Sequence, residues 1–258
     1  MTKVVIIGSG NVAEAFARTL PECGVEVVQV VARNAVRGGY LAETAGCQWT
    51  AGPGVAEADI YITAVSDRAI GEVLESLDIP DGGVVVHVSG ASPLSVIPLR
   101  FARRGVLYPL QTFTAGRRVD FGETPFFVEG SDPSTTAFIA DFARKLSGRV
   151  CEMDSSRRAE LHLTGVFACN FVNAMYAAGG EMARAAGVDF EVLKPLIVET
   201  ARKAVECRDP REVQTGPAVR GDRVTLERHL QLLARSGRHD LAGIYETISD
   251  YIKNGKKL

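Results

Sequence analysis

Short apolar runs alternate with helical segments over the first part of the chain. Several runs are continuously apolar rather than alternating, which is typical of parallel strands covered on both faces. A regular succession of strand and helix indicates a doubly wound parallel sheet. The predicted strands are Val4–Ile7, Val25–Val31, Ile60–Val65, Val84–Val88, Val106–Tyr108, Pro125–Val128 and Arg149–Cys151. The predicted helices between them are Val12–Leu20, Arg37–Ala45, Ala69–Leu77, Pro93–Ala102 and Pro133–Leu146.

The pattern changes after Asp154, where the strand signals stop. Ser155–Ala186 predicts one long helix, because it contains no proline and few β-branched residues. Three further helices are predicted at Asp189–Cys207, Val224–Ala234 and Leu241–Ile252. We therefore predict an α/β protein, with the sheet in residues 1–153 and an all-helical C-terminal domain in residues 154–258.

Composition narrows the class of protein. The 258 residues are 46% hydrophobic and 23% charged, which excludes a disordered chain. A net charge of −2 gives no electrostatic reason to expect a nucleic acid or an anionic membrane as partner. No apolar run reaches the roughly 18 residues of a transmembrane helix. We expect a soluble globular protein.

The five cysteines are odd in number and scattered, with no C-x-x-C pair. This spacing does not indicate a disulfide framework or a zinc site, so no metal is predicted, and it suits a reducing cytoplasm. The N-terminal apolar stretch is too short for a signal peptide and runs directly into glycines. We expect a cytoplasmic location.

A glycine-rich turn follows the first predicted strand. Gly8 permits a tight turn, Gly10 lets the backbone approach a diphosphate, and Ala13 lets the helix pack close to the strand. Phosphates would then lie at the helix N-terminus, where free N–H groups favour anions. The turn predicts a Rossmann-type dinucleotide site, and the alternative is a purely structural turn. The residues predicted to hold the diphosphate are Gly8, Ser9, Gly10, Asn11 and Val12.

The end of the second strand bears on which nucleotide binds. NAD-binding folds usually place a carboxylate there, whereas this chain has Arg33 and Asn34, with Arg37 one turn later. A guanidinium group suits a 2′-phosphate, so these residues favour NADP(H) as cofactor. Arg33 could instead be a solvated loop residue.

Ligands of such sheets bind at the carboxyl ends of the strands. Val65 and Ser66 stand at the end of one predicted strand and are predicted to contact the cofactor, although Ser66 could simply cap a helix. Ser89 and Gln111 follow the next two strands and are predicted to line the nicotinamide pocket. His87, within its strand, is read as a hydrogen-bonded sheet residue.

The long predicted helix carries a polar stripe. At about 100° per residue, His162, Cys169 and Asn173 fall on one face. His162 is a candidate proton donor and Asn173 a candidate substrate-positioning residue in a cleft between the domains. The alternative is that both make helix–helix or dimer hydrogen bonds.

These motifs resemble a known family. The N-terminal half is similar to the Rossmann-like domain of coenzyme F420-dependent NADP oxidoreductases and pyrroline-5-carboxylate reductases, within the 6-phosphogluconate and β-hydroxyacid dehydrogenase superfamily. The whole chain resembles a bacterial group that adds a helical C-terminal domain of unknown function, DUF2520. The motifs that carry the resemblance are GSGNVA at 8–13, HVSGASPL at 87–94, YPLQTFT at 108–114, NFVNAMY at 170–176 and TGPAVRGD at 215–222. The resemblance implies a homodimer whose helical domains pack together.

One departure from the superfamily concerns the acid/base. β-Hydroxyacid dehydrogenases carry a lysine four residues before an asparagine on the long helix, whereas Val166 and Cys169 precede Asn170 and Asn173 here. Either His162 takes the role or the substrate differs. The leading hypothesis is an NADP(H)-dependent oxidoreductase that transfers hydride to or from a small carbonyl or imine between the domains. The alternative is a non-catalytic NADP(H)-binding or regulatory dimer.

Overall fold

A computed structural model of the chain describes residues 1–255. The chain divides into two compact units, Met1–Cys169 and the residues from Asn170 onwards. Strands end at Glu152, next to the predicted boundary at residue 153, but the first unit also includes the helix that follows. The domain boundary stays a prediction, and residues 256–258 of the predicted second domain lie outside the described residues.

One eight-stranded sheet forms the first unit. The strands are β1 (Lys3–Ile7), β2 (Glu26–Val31), β3 (Gln48–Thr50), β4 (Ile60–Thr63), β5 (Val84–His87), β6 (Arg104–Pro109), β7 (Phe126–Gly130) and β8 (Val150–Glu152). Their order is β3-β2-β1-β4-β5-β6-β7-β8, and every neighbouring pair is parallel except β6 and β7. The predicted doubly wound sheet is confirmed, with one antiparallel pair that the sequence did not indicate.

Ten α-helices occur in the described residues. Those of the first unit are α1 (Asn11–Glu22), α2 (Ala35–Ala45), α3 (Ile70–Glu75), α4 (Pro133–Arg144) and α5 (Ser155–Gly165). Those of the second unit are α6 (Val172–Ala185), α7 (Lys194–Glu206), α8 (Pro217–Arg220), α9 (Arg223–Arg235) and α10 (His239–Asn254). Over residues 153–255 there is no strand, which confirms the predicted helical C-terminal part. None of the helices described is both long and apolar enough to cross a membrane.

Alternate residues of the central strands enter two separate cores. Val4 and Ile6 of β1 pack in the cluster that contains Phe16 of α1, whereas Val5 and Ile7 pack in the cluster that contains Leu74 of α3. All four strand residues are at most 1% exposed. Burial on both faces explains why these strands are continuously apolar.

The structure differs from the predicted elements at several places. Pro93–Ala102 is not an α-helix and holds only a 3₁₀ turn at Leu94–Val96, because Pro98 lacks a backbone N–H and restricts the residue before it. Strand β3 was not predicted, since its three residues are too few for a clear pattern. The long helix is interrupted by a π-helical segment at Val166–Phe171.

Candidate functional site

The glycine turn lies at the carboxyl end of β1, between β2 and β4. Gly8 has φ +119°, and an added Cβ would lie 2.2 Å from the carbonyl oxygen of Ala64. Its N–H donates to the carbonyl of Val31 at 2.8 Å. The strand order reverses beside β1, so the turn occupies the crevice where doubly wound sheets bind ligands.

The N-terminus of α1 is free to receive an anion. Gly10 is the N-cap and supplies no capping side chain, and an added Cβ at Gly10 would meet nothing within 4 Å. The first backbone bond of the helix runs from Glu14 N–H to Gly10 C=O. Helices leave their first N–H groups without internal partners, and these favour phosphate. The residues present therefore fit a dinucleotide diphosphate.

The residues after β2 differ in how they are engaged. Arg33 is exposed, and in the described chain its side chain has no hydrogen bond or ion pair. Asn34 caps α2 by accepting from the N–H of Arg37 at 3.0 Å. The guanidinium of Arg37 donates to Glu14 Oε2 at 2.8 Å and to the Ser9 carbonyl at 3.3 Å. The guanidinium of Arg33 is thus without a partner in residues 1–255, whereas that of Arg37 is engaged, and contact of Arg33, Asn34 or Arg37 with the cofactor stays a prediction.

The loop after β5 is organised by His87 and Ser89, both buried. Nδ1 of His87 accepts from the Ser89 N–H at 3.1 Å, so the ring proton lies on Nε2, 3.3 Å from the Pro93 carbonyl. Burial, together with the nearby Arg158 charge, lowers the pKa of His87 to about 4. The Ser89 hydroxyl accepts from the N–H groups of Ala91 and Ser92. Both side chains shape the loop.

Tyr108 and His162 form a pair at the carboxyl end of β6. The Tyr108 hydroxyl lies 3.1 Å from His162 Nδ1, and a Cβ on Gly90 would lie within 3 Å of both rings. Burial raises the pKa of Tyr108, and the Arg158 charge partly offsets this rise. Tyr108 is buried whereas His162 is partly exposed, so the imidazole can reach a ligand.

Arg158 fixes α5 against the sheet. Its side chain is fully buried and donates to Glu129 Oε2 at 2.5 Å and to the Ser92 carbonyl at 2.7 Å. Arg158 and His162 are four residues apart, so they share one face of α5. The buried ion pair therefore directs His162 towards Tyr108.

The remaining predicted site residues are exposed or only partly buried. Val65 and Ser66 follow β4, and Val65 Cγ1 would lie 3.2 Å from a Cβ on Gly8, beside the glycine turn. Gln111 is exposed, and its Oε1 accepts from the N–H of Thr112. Asn173 is exposed on α6 in the second unit. Cofactor or substrate contact by these residues stays a prediction.

The predicted stripe of His162, Cys169 and Asn173 assumed a regular α-helix. The π-helical segment Val166–Phe171 has hydrogen bonds that span five residues, so the 100° spacing does not hold across it. Within residues 1–255 there is no cluster of three His, Cys, Asp or Glu able to hold a metal.

Sequence reasoning missed Tyr108, Arg158 and Glu14 as parts of the site. Tyr108 stands at a strand end inside a motif already noted, and Arg158 precedes His162 by one helical turn. These two positions could have indicated that Tyr108 and Arg158 belong to the site. Glu14 offered none, because an acidic residue in the first turn of a helix is ordinary.

Two family profiles together cover most of the chain. Residues 3–90 match the NADP oxidoreductase, coenzyme F420-dependent family, and residues 124–252 match the domain of unknown function DUF2520. No curated protein matches the chain in sequence.

Solved structures share the fold over nearly the whole length. A protein from Bacteroides fragilis, described provisionally as an NADP oxidoreductase, is 37% identical, with 98% of each chain covered and a TM-score of 0.89. An imine reductase from a Pseudomonas species is 16% identical over 99% of this chain and 94% of that chain, with a TM-score of 0.64. A reductive aminase from Aspergillus terreus, solved with NADPH and ethyl-5-oxohexanoate, is 17% identical over 96% and 93%, with a TM-score of 0.67.

The last two are similar in fold alone, whereas the first, with both profiles, defines the family. The chain belongs to the family that joins an NADP oxidoreductase domain of the coenzyme F420-dependent type to a C-terminal DUF2520 domain.

Proposed function

We propose that the protein is an NADPH-dependent reductase of a small carbonyl or imine. The observation that carries this proposal is the Tyr108–His162 pair, which lies at the same sheet edge as the glycine turn. The Tyr108–His162 pair is suited to proton transfer, and the glycine turn is suited to binding a dinucleotide. The proposal is also in line with the imine reductase and reductive aminase that share the fold.

The chain's contribution to cofactor binding comes from backbone and guanidinium groups. The N–H groups in the first turn of α1 hold the diphosphate, and Arg33 meets the 2′-phosphate. The nicotinamide end of the dinucleotide would be bordered by Val65, Ser66, Ser89 and Gln111. NADPH supplies the hydride when bound, while the protein supplies orientation and charge.

His162 supplies the proton. One hydride and one proton convert C=O to CH–OH, or C=N to CH–NH. When the Tyr108 hydroxyl donates to Nδ1, the imidazole carries its proton on Nε2. As that proton passes to the product oxygen or nitrogen, Nδ1 takes the hydroxyl proton of Tyr108, so the imidazole stays neutral and the tyrosinate then regains a proton from solvent. The raised pKa of Tyr108 keeps its hydroxyl protonated at neutral pH. Asn173 is proposed to position the substrate.

Calorimetry with NADPH, followed by turnover on a panel of small ketones, aldehydes and cyclic imines, tests this function. We expect binding, and turnover that His162→Ala abolishes. Failure to bind NADPH would contradict the proposal. Binding without turnover by the wild type would instead favour the alternative, a non-catalytic NADP(H)-binding or regulatory protein.

We also propose that the protein is a homodimer through its helical part. Large apolar side chains of the second unit are exposed, including Val192 at 65%, Leu196 at 64% and Val205 at 83%. Exposed apolar surface on this scale marks an interaction site. Light scattering should give twice the chain mass, and Leu196→Glu should shift the equilibrium towards monomer. A monomeric wild type at micromolar concentration would contradict the proposal.

A further inference from the structure

Glu14 is a buried carboxylate on α1, one turn after the glycine turn, and its side chain is 4% exposed. Oε1 accepts from Arg18 Nη2 and from the N–H of Gly116, each at 3.0 Å. Oε2 accepts from Arg37 Nη2 at 2.8 Å. A buried carboxylate needs such partners to remain ionised. Three segments that are distant in sequence therefore meet at one side chain.

Arg37 extends this arrangement to the glycine turn. Its Nε donates to the carbonyl oxygen of Ser9, the middle residue of the turn, at 3.3 Å. Arg18 binds the same carboxylate and the hydroxyl of Tyr40, without a hydrogen bond to the turn. Of the two arginines on Glu14, only Arg37 thus connects the carboxylate to the turn.

The loop after β6 is attached to the same part of α1. The side-chain N–H of Asn11 donates to the Phe113 carbonyl at 3.0 Å, beside the contact of Gly116 with Glu14. This loop contains Leu110–Thr114, the part of the YPLQTFT motif that follows β6. The glycine turn and the loop are consequently held by neighbouring residues of one helical turn.

We propose that Glu14 and Arg37 form a brace that holds the glycine turn in its diphosphate-binding conformation. Glu14 is then a positioning residue, and Arg37 acts on the nucleotide through the Ser9 backbone. This inference rests on the proposed binding of a nicotinamide dinucleotide at the turn. Burial by itself raises the pKa of Glu14, but hydrogen bonds from the two arginines and Gly116 outweigh it and lower the pKa overall.

The brace predicts a specific pattern of nucleotide affinity. The diphosphate is common to NADPH and NADH, whereas the 2′-phosphate belongs to NADPH alone. Loss of the brace should weaken the binding of both nucleotides by the same factor. Loss of a residue that contacts the 2′-phosphate should weaken the binding of NADPH but not that of NADH. The ratio of the two dissociation constants therefore separates positioning from direct contact.

The experiment is calorimetric titration of the full chain with NADPH and with NADH. We expect Glu14→Gln and Arg37→Gln each to weaken both nucleotides by about tenfold, with an unchanged ratio. Arg18→Gln is the matched control, because it removes the other arginine on Glu14 but no contact with the turn. It should change neither affinity by more than about twofold. Arg37 is partly exposed, so its variant remains informative if Glu14→Gln fails to fold.

The outcomes distinguish this inference from the function on which it rests. A wild type that binds neither nucleotide contradicts the proposed function. A wild type that binds, with Arg37→Gln equal to it in both affinities, overturns the brace alone. Selective loss of NADPH in Arg37→Gln also overturns it, and makes Arg37 a direct ligand of the 2′-phosphate. If Arg18→Gln lowers the affinity for both nucleotides as much as Arg37→Gln does, only the charge of the region matters, and the brace is overturned as well.

Discussion

The hydroxyl of Tyr108 lies 3.1 Å from Nδ1 of His162, and the two rings meet edge to face with centroids 6.0 Å apart. A tyrosine at a strand end and a histidine on α5 are thereby joined into one hydrogen-bonded unit. The tyrosine orients the imidazole, and the imidazole is the part that reaches solvent.

Removing the Tyr108 hydroxyl should separate chemistry from binding. For Tyr108→Phe, we expect kcat for reduction of the carbonyl or imine to fall by about 10²-fold, because the imidazole loses the partner that sets its tautomer. KM and the affinity for NADPH should change little. Steady-state kinetics that follow NADPH oxidation measure both quantities. Tyr251→Phe, at a 77% exposed position, is the control and should be silent. An unchanged kcat in Tyr108→Phe would remove the tyrosine from the mechanism.

Gly90 provides the space in which this pair meets. A Cβ there would lie 2.6 Å from His162 Nδ1 and 2.7 Å from Tyr108 Cζ. Gly90→Ala should therefore displace the imidazole, lower kcat and destabilise the fold by about 1–3 kcal/mol, with nucleotide binding retained. Urea unfolding and kinetics check this expectation. Gly39→Ala adds a methyl group in open space within α2 and should be neutral or stabilising. Full activity in Gly90→Ala would contradict the described packing.

Arg33 should determine the preference between nucleotides. Arg33→Asp is expected to weaken NADPH by tenfold or more, since a charge-assisted bond to phosphate becomes a repulsion, and to leave NADH nearly unchanged. Arg144→Asp makes the same change of charge on α4, where Arg144 pairs with Asp141, and controls for long-range electrostatics. Equal effects on both nucleotides, or none, would refute the role of Arg33.

His87 should make the fold less stable in mild acid. Its pKa is about 4 in the folded protein and about 6.5 when unfolded. Between these values the unfolded chain binds a proton that the folded chain does not, so the free energy of unfolding falls as the pH is lowered from about 6.5 towards 4. The loss attributable to His87 approaches roughly 3 kcal/mol at the low end.

The comparison of urea unfolding at pH 7 and pH 5 measures this dependence. His87→Asn keeps an acceptor for the Ser89 N–H and should flatten the slope, whereas His239→Asn, at an exposed position on α10, should retain it. A wild type equally stable at both pH values would contradict the prediction. The lowered pKa of Glu14 also stabilises the fold, and this contribution is present above the ordinary pKa of a glutamate and is lost as the pH falls below it.

The sequence predicted those parts of the fold that depend on local pattern. Continuous apolar runs such as Val4–Ile7 identified the central strands, and the glycine spacing placed the turn at Gly8 and Gly10. The π-helical segment Val166–Phe171 could not be predicted, because it depends on packing rather than on helix propensity. The same limit applies to the partners of side chains. Whether Arg37 faces Glu14 or solvent depends on residues 23 positions apart in sequence.

Because β6 and β7 are antiparallel neighbours, the chain between Pro109 and Phe126 begins and ends at the same edge of the sheet. A hairpin of two residues could make that connection. The additional residues are not needed to close the sheet. The pairing register of β6 and β7 therefore places no constraint on which residues the loop contains. The loop residues instead attach the loop to α1, through Asn11 and Glu14, and to the core, through Val119 and Phe121, so a loop cut to a two-residue turn would lose these contacts.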